Sequence, residues 1–334
     1  MKYYYGLPFG NEVDGRSQYV DSTVQDTIEW IKPSLMRIFA SGDEMVKFSP
    51  HGPEDVEMAR QATDYVNHVF TKDNPGWEIL YSWFTDALLS KNGIVKVWWD
   101  EYDEEEREEY RGLEEMELTA LITQEGVEVI EHTEYVEYEK PMHDVVIKRS
   151  QYNGKIKIEN VPPSEFLISR EAKNIQDATF VCHRVEQTLS QLREMYPDED
   201  LDAESLGGSD EDLMAFSAER LERYAFDKSA DYWGVGAGDA YDDESLRKFW
   251  LHESFIRTDY DDDGIAELRK ICTVGSTVLA NEAIDRVPFV SITPVKIPHK
   301  FFGLSMADLV MDLQLMKSTL MRNLMDNMYN QNFG

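Results

Sequence analysis

The longest periodic segment of the sequence constrains the fold most. From about residue 304 to 331, apolar side chains recur every three or four residues at Leu309, Leu313, Leu315, Met316, Leu320, Leu324 and Met328. That is the spacing of a helix with an apolar stripe. Met306, Met311, Met321 and Met325 widen the stripe beyond one face. A helix apolar over more than one side needs cover on several sides. In an isolated chain it would be a central core helix. In an oligomer it packs against neighbouring subunits, since a cyclic ring repeats one contact around its axis. Leu309, Leu313, Met316, Leu320, Leu324 and Met328 are therefore candidate oligomer-contact positions.

Three shorter helices are predicted upstream. Val24, Ile28, Ile31, Leu35 and Ile38 mark one over about 22–40, capped by Asp21 or Ser22, kinked by Pro33 and ended at Ser41-Gly42. A second follows Pro53, with Val56, Ala59, Thr63, Val66 and Phe70 on one stripe, and a third spans 77–90. A strand-like run follows at 94–99. The acidic stretch 100–117 after it reads as a solvated helix or loop. From 127 to 168 the pattern turns to short alternating segments. There Asn153-Gly154 is the strongest hairpin-turn signal, between strands 145–148 and 155–158. Helices are expected again over 188–196 and 210–224, with a Gly-rich stretch at 234–242, and strands over 249–256 and 265–274. The expected fold class is α+β, helices with small antiparallel sheets and one long closing helix.

Charge narrows the function. Sixty-five acidic against 33 basic residues leave a formal net charge of -32, a surface that repels phosphate. This argues against a conventional grip on DNA, though not against DNA as a passing cargo, which acidic walls would let slide. Cys182 and Cys272 give neither a disulfide framework nor zinc spacing and are expected to be buried free thiols. The first residues lack the apolar run of a signal peptide, and no stretch approaches about 20 apolar residues, so a soluble protein made in a reducing cytoplasm is expected, without membrane insertion.

The sharpest local motif is the run from Asp259 to Glu267. Alternate carboxylates converge where a Gly allows a tight turn, and hard oxygen ligands suit Ca²⁺. Asp259, Asp261 and Asp263 would ligate through side chains, Ile265 through its carbonyl, and Glu267 as a further carboxylate. The EF-hand pattern needs Glu where Lys270 stands, so this is not that motif; a solvated acidic hairpin turn is the alternative. Seven scattered His, no phosphate-cradling Gly loop and no nucleophile elbow argue against an enzyme. With carboxylates this abundant, no particular pair singles out a hydrolase.

Several segments together resemble a portal-protein family of tailed phages and prophages. They are residues 27–39 (Thr-Ile-Glu-Trp-Ile-Lys-Pro-Ser-Leu-Met-Arg-Ile-Phe), the helix-to-strand step 86–97, Val-Pro-Pro-Ser-Glu-Phe-Leu-Ile at 161–168, Phe-Val-Cys-His-Arg at 180–184, the turn 259–269, and 298–310. The resemblance implies a subunit of a dodecameric, ring-shaped head–tail connector at one capsid vertex of the virion. Double-stranded DNA would pass through it during packaging and ejection, and terminase, capsid and tail-adaptor proteins would dock on it. No cofactor and no catalysis are implied. By that analogy 1–245 form a wing-like α+β domain with an acidic insert near 100–117, 246–300 a β-rich segment toward the clip, and 301–334 a stem or channel helix. Such proteins continue beyond that helix into a crown, so the sequence to Gly334 is expected to correspond to their N-terminal and central part, as a shortened, prophage-derived or incompletely read chain. The contrasting expectation is an acidic Ca²⁺-binding interaction module.

Overall fold

A computed structural model describes residues 1–40, 42, 44–124, 126–137, 140–197, 199, 201–202, 206 and 244–333. The elements in chain order are α1 (Lys2–Tyr5), α2 (Thr23–Ala40), α3 (Val56–His68), α4 (Gly76–Ser90), β1 (Gly93–Leu113), α5 (Glu115–Ile122), β2 (Val127–Glu137) and β3 (Lys140–Val161). Then come β4 (Phe166–Ile168), β5 (Phe180–Thr188), α6 (Leu189–Met195), β6 (Lys248–Thr258), β7 (Glu267–Val274), β8 (Thr277–Ala283), β9 (Phe289–Ile292) and α7 (Met306–Phe333). Seven α-helices and small antiparallel sheets among the described residues make the fold α+β. The helix expected over 210–224 and the Gly-rich stretch 234–242 lie outside the described residues.

The chain divides into two units, Met1–Val97 with Ile158–Gly334, and Trp98–Lys157. In the first, α2 carries Val24, Ile28, Ile31 and Leu35 on one face, where they pack with Leu88 of α4 and Met306, Val310 and Met311 of α7. Asp21, two residues before the start of α2, accepts the Thr23 amide at 3.1 Å, as a capping side chain does. Met36 with Leu80 and Phe84 of α4 makes a second cluster. The sheet of this unit has the order β4-β5-β6-β7-β8. One of its faces is built by inward-facing alternate residues of β6, Phe249, Leu251 and Phe255. The expected domain boundary at 245/246 falls between β5 and β6, which pair from Phe180 opposite Ile256 to Thr188 opposite Lys248. The start of β1 pairs with β9, Gly93 opposite Ile292.

The second unit overturns two expectations. The acidic stretch is not a solvated helix or loop: it extends β1 to Leu113 and then forms α5. Cations on β3 and one within the stretch itself offset its charge. Lys157 stands 3.9 Å from Asp100, Arg149 3.3 Å from Glu108 and Arg107 3.7 Å from Glu131, so the like charges are interleaved with opposite ones. Nor is Asn153-Gly154 a turn. β3 runs through it without interruption, and a Cβ at position 154 would drive into the indole of Trp99. The glycine is there for close side-chain approach, a strand role of glycine that looks identical to a turn signal in sequence. Leu118 and Leu121 of α5 cover Val145 and Ile147 of β3.

Candidate functional site

Helix α7 presents its two faces in an unusual sense. Leu309, Leu313, Met316, Leu320, Leu324 and Met328 are all exposed, between 49% and 69%. The side buried against its own chain is apolar through Met311 and polar beyond it: Gln314 and Ser318 are fully buried and Arg322 nearly so. These three follow at i, i+4 and i+8 and so share one face. They meet α1, the first turn of α2 and the segment between those helices, where backbone groups without helical partners are satisfied by side chains. The Val24 amide donates to Gln314 Oε1 at 2.8 Å, and Gln314 Nε2 donates to the Tyr3 carbonyl at 2.9 Å. The Asp21 amide donates to Ser318 Oγ at 3.0 Å. Arg322 donates to the Tyr19 carbonyl (2.6 Å), Asn11 Oδ1 (2.8 Å) and Glu12 Oε1 (2.6 Å). Burial alone would raise the Glu12 carboxyl, but the amides of Phe9 and Gly10 and the Arg322 guanidinium hold it at about 2. The helix was expected to need apolar cover on several sides; its own chain gives apolar cover at Met306, Val310 and Met311 and covers a polar seam after them. The signal was present in the sequence as three polar residues spaced by four.

The acidic turn joins β6 to β7 as a hairpin, Thr258 opposite Glu267. Asp259, Asp261 and Asp263 bring one carboxylate oxygen each within 4.8 Å of one another, all exposed. The Asp259 carboxylate also accepts the amides of Asp263 (3.1 Å) and Gly264 (2.8 Å). The left-handed residues Asp262 (φ 60°) and Gly264 (φ 85°) close the loop. Ile265 donates its amide to Asp263, and Glu267 turns to Arg269 at 3.1 Å, outside the group of three.

Sequence reasoning missed a buried charge centre. Glu253 occupies an inward position of β6 between Leu251 and Phe255. It contacts Lys96 Nζ directly, with Lys270 Nζ at 3.4 Å and His183 Nδ1 at 3.7 Å. Burial would raise its pKa, yet His183 and the two ammonium charges hold it at about 2. Cys182 and Cys272 are free and buried on β5 and β7, as expected, and burial pushes both thiols up. Of the seven scattered histidines, His132 and His143 meet across the β2–β3 hairpin, Nε2 to Nδ1 at 3.0 Å. Eleven residues of separation hid that pair from spacing arguments.

Among the described residues the α+β fold has one long helix that holds a polar seam against its own chain and turns an apolar face to solvent. The model of the family described as phage SU10 portal protein matches the chain over residues 1–334. The chain belongs to that family of tailed-phage portal proteins, a structural rather than catalytic kind. No curated protein matches it. No described helix is long and apolar enough to cross a membrane.

Proposed function

We propose that the chain is the subunit of a closed ring, dodecameric as such portals are expected to be, at a capsid vertex of the virion, through which double-stranded DNA passes in packaging and ejection. The observation that carries this is the exposed apolar face of α7 in a member of a portal family. The six stripe side chains are each about half exposed, so burying the remainder against a neighbouring copy contributes roughly 1 kcal/mol per side chain before ordering costs. The net charge of -32 supports a channel that DNA traverses without being gripped or read. In this reading residues 1–245 are the wing, 246–300 lie toward the clip and 301–334 are the stem or channel helix. Terminase, capsid and tail-adaptor proteins dock on the assembled ring. Negative-stain electron microscopy of the chain tests the proposal: rings with a central hole are expected, and monomers at every concentration overturn it.

The convergence of Asp259, Asp261 and Asp263 favours a second, local reading: the turn takes Ca²⁺ as a hairpin stabiliser. Ca²⁺ should then raise the melting temperature, chelator should reverse the rise, and Asp261→Ala should abolish it. A melting temperature indifferent to Ca²⁺ refutes this reading and leaves the ring untouched.

A further inference from the structure

A closed ring of more than two copies cannot be made by one patch meeting itself. Each copy must present two unlike surfaces, one given to the next copy and one offered to the last. The stripe on α7 is one surface. The first unit carries a second, on the far side of the same helical layer: a groove of about 410 Å³ between α2 and α4, lined by Pro33, Met36, Arg37, Ala40, Trp77 and Tyr81. Trp77 and Tyr81 stack with ring centroids 5.3 Å apart, and Trp77 is 56% exposed. We propose that this groove receives the α7 stripe of an adjacent copy. The inference rests on the ring reading above and names the counter-surface that the ring requires.

Three observations argue for that occupant. The first is placement. The α2 residues that α7 of the same chain covers, Val24, Ile28, Ile31 and Leu35, lie roughly 140° around the helix from the groove residues, at 100° per residue. On α7 the stripe lies opposite the polar seam. Among the described residues, contacts within the chain leave both surfaces open, and the two face away from each other, as head-to-tail contact requires.

The second is chemistry. Leucine and methionine side chains fill aromatic-walled grooves well, methionine sulfur making favourable contacts at ring edges. The stripe is built of these two residue types alone.

The third is charge. Lys32, at the floor of the groove, is satisfied within the chain: it pairs with Glu29, donates to Tyr81 Oη at 2.8 Å and lies over the Tyr81 ring. Arg37 on the rim is exposed and has no ion-pair partner among the described residues. Asp312 is also exposed and without one, and it borders the stripe, one turn from both Leu309 and Met316. In a chain of net charge -32, an unpaired cation beside an apolar groove and an unpaired anion beside the apolar stripe are complementary.

Charge reversal tests the pairing in the full chain, with oligomer mass read across a concentration series. Arg37→Asp and Asp312→Arg should each raise the half-assembly concentration about tenfold or more, and the double variant should restore most of the loss. Trp77→Ala should also weaken assembly. All these positions are exposed, so melting temperatures should stay near that of the parent. Single reversals that assemble like the parent, or a double variant no better than the singles, overturn the groove assignment. Leu320→Glu separates this from the ring reading. If it is monomeric while Arg37→Asp assembles normally, the stripe stands and the groove fails. If Leu320→Glu assembles normally, both fail.

Discussion

Glu253 shows what a single side chain does in this fold. It sits among apolar residues on the covered face of β6, where a carboxylate is tolerated only because Lys96, Lys270 and His183 converge on it. Glu253→Gln leaves two ammonium groups without their counter-charge and should cost about 3 kcal/mol in denaturant unfolding, the range seen when one partner of a largely buried pair is removed. Its pKa in the folded chain is lowered from 4.5 to about 2. The stability it supplies is therefore complete above the ordinary carboxylate range and is lost as pH falls from about 4.5 toward 2. Thermal melts in that window should fall steeply for the parent and more gently for Glu253→Gln; parallel curves would contradict the assignment. Gly154 makes a steric rather than electrostatic case. Gly154→Ala must displace the Trp99 indole and should lower the stability of the second unit by about 1–3 kcal/mol, measurable as earlier hydrogen exchange within β1 and β3.

At the scale of the element, the proposed assembly divides α7 into a face for stability and a face for contact between copies. Gln314→Leu would keep the volume but strand the Val24 amide in a buried seam, and should cost about 1–3 kcal/mol in monomer stability. Leu320→Glu alters a residue already 69% exposed and should leave that stability within about 0.5 kcal/mol. Equal losses for the two variants would mean the helix is not divided in this way. The helix itself was readable, because 3.6-residue periodicity survives whatever covers it, and the same holds for α2 and α4. Which face would be covered was not readable. The partners of Gln314, Ser318 and Arg322 lie in α1, the start of α2 and the segment between them, some 300 residues away, and hydrophobicity assigns such residues to solvent. Likewise Glu253 stood in plain alternation with Phe249, Leu251 and Phe255, but Lys96, Lys270 and His183 come from three other strands. Gly154 failed for the converse reason: a local turn signal was overridden by a tertiary contact with Trp99.

For the whole molecule the governing quantities are an apolar helix face and a net charge of -32, which oppose each other. Copies carrying that charge repel, and salt screens the repulsion over a Debye length that shrinks from about 30 Å at 0.01 M to about 8 Å at 0.15 M. Assembly should therefore strengthen as ionic strength rises across that range, and light scattering should register growth in mass. Assembly that weakens with salt would point to charge pairing as the main attraction, against the apolar interface proposed for α7. The candidate metal turn and the histidine pair bear on local stability and leave this balance unchanged. The central claim is that α7 faces solvent in the single chain because a neighbouring copy covers it. Sedimentation velocity of the parent chain beside Leu320→Glu, at matched concentration and about 0.15 M salt, tests it most directly. The account predicts one large discrete species for the parent and a stable monomer for the variant; the same sedimentation coefficient for both would contradict it.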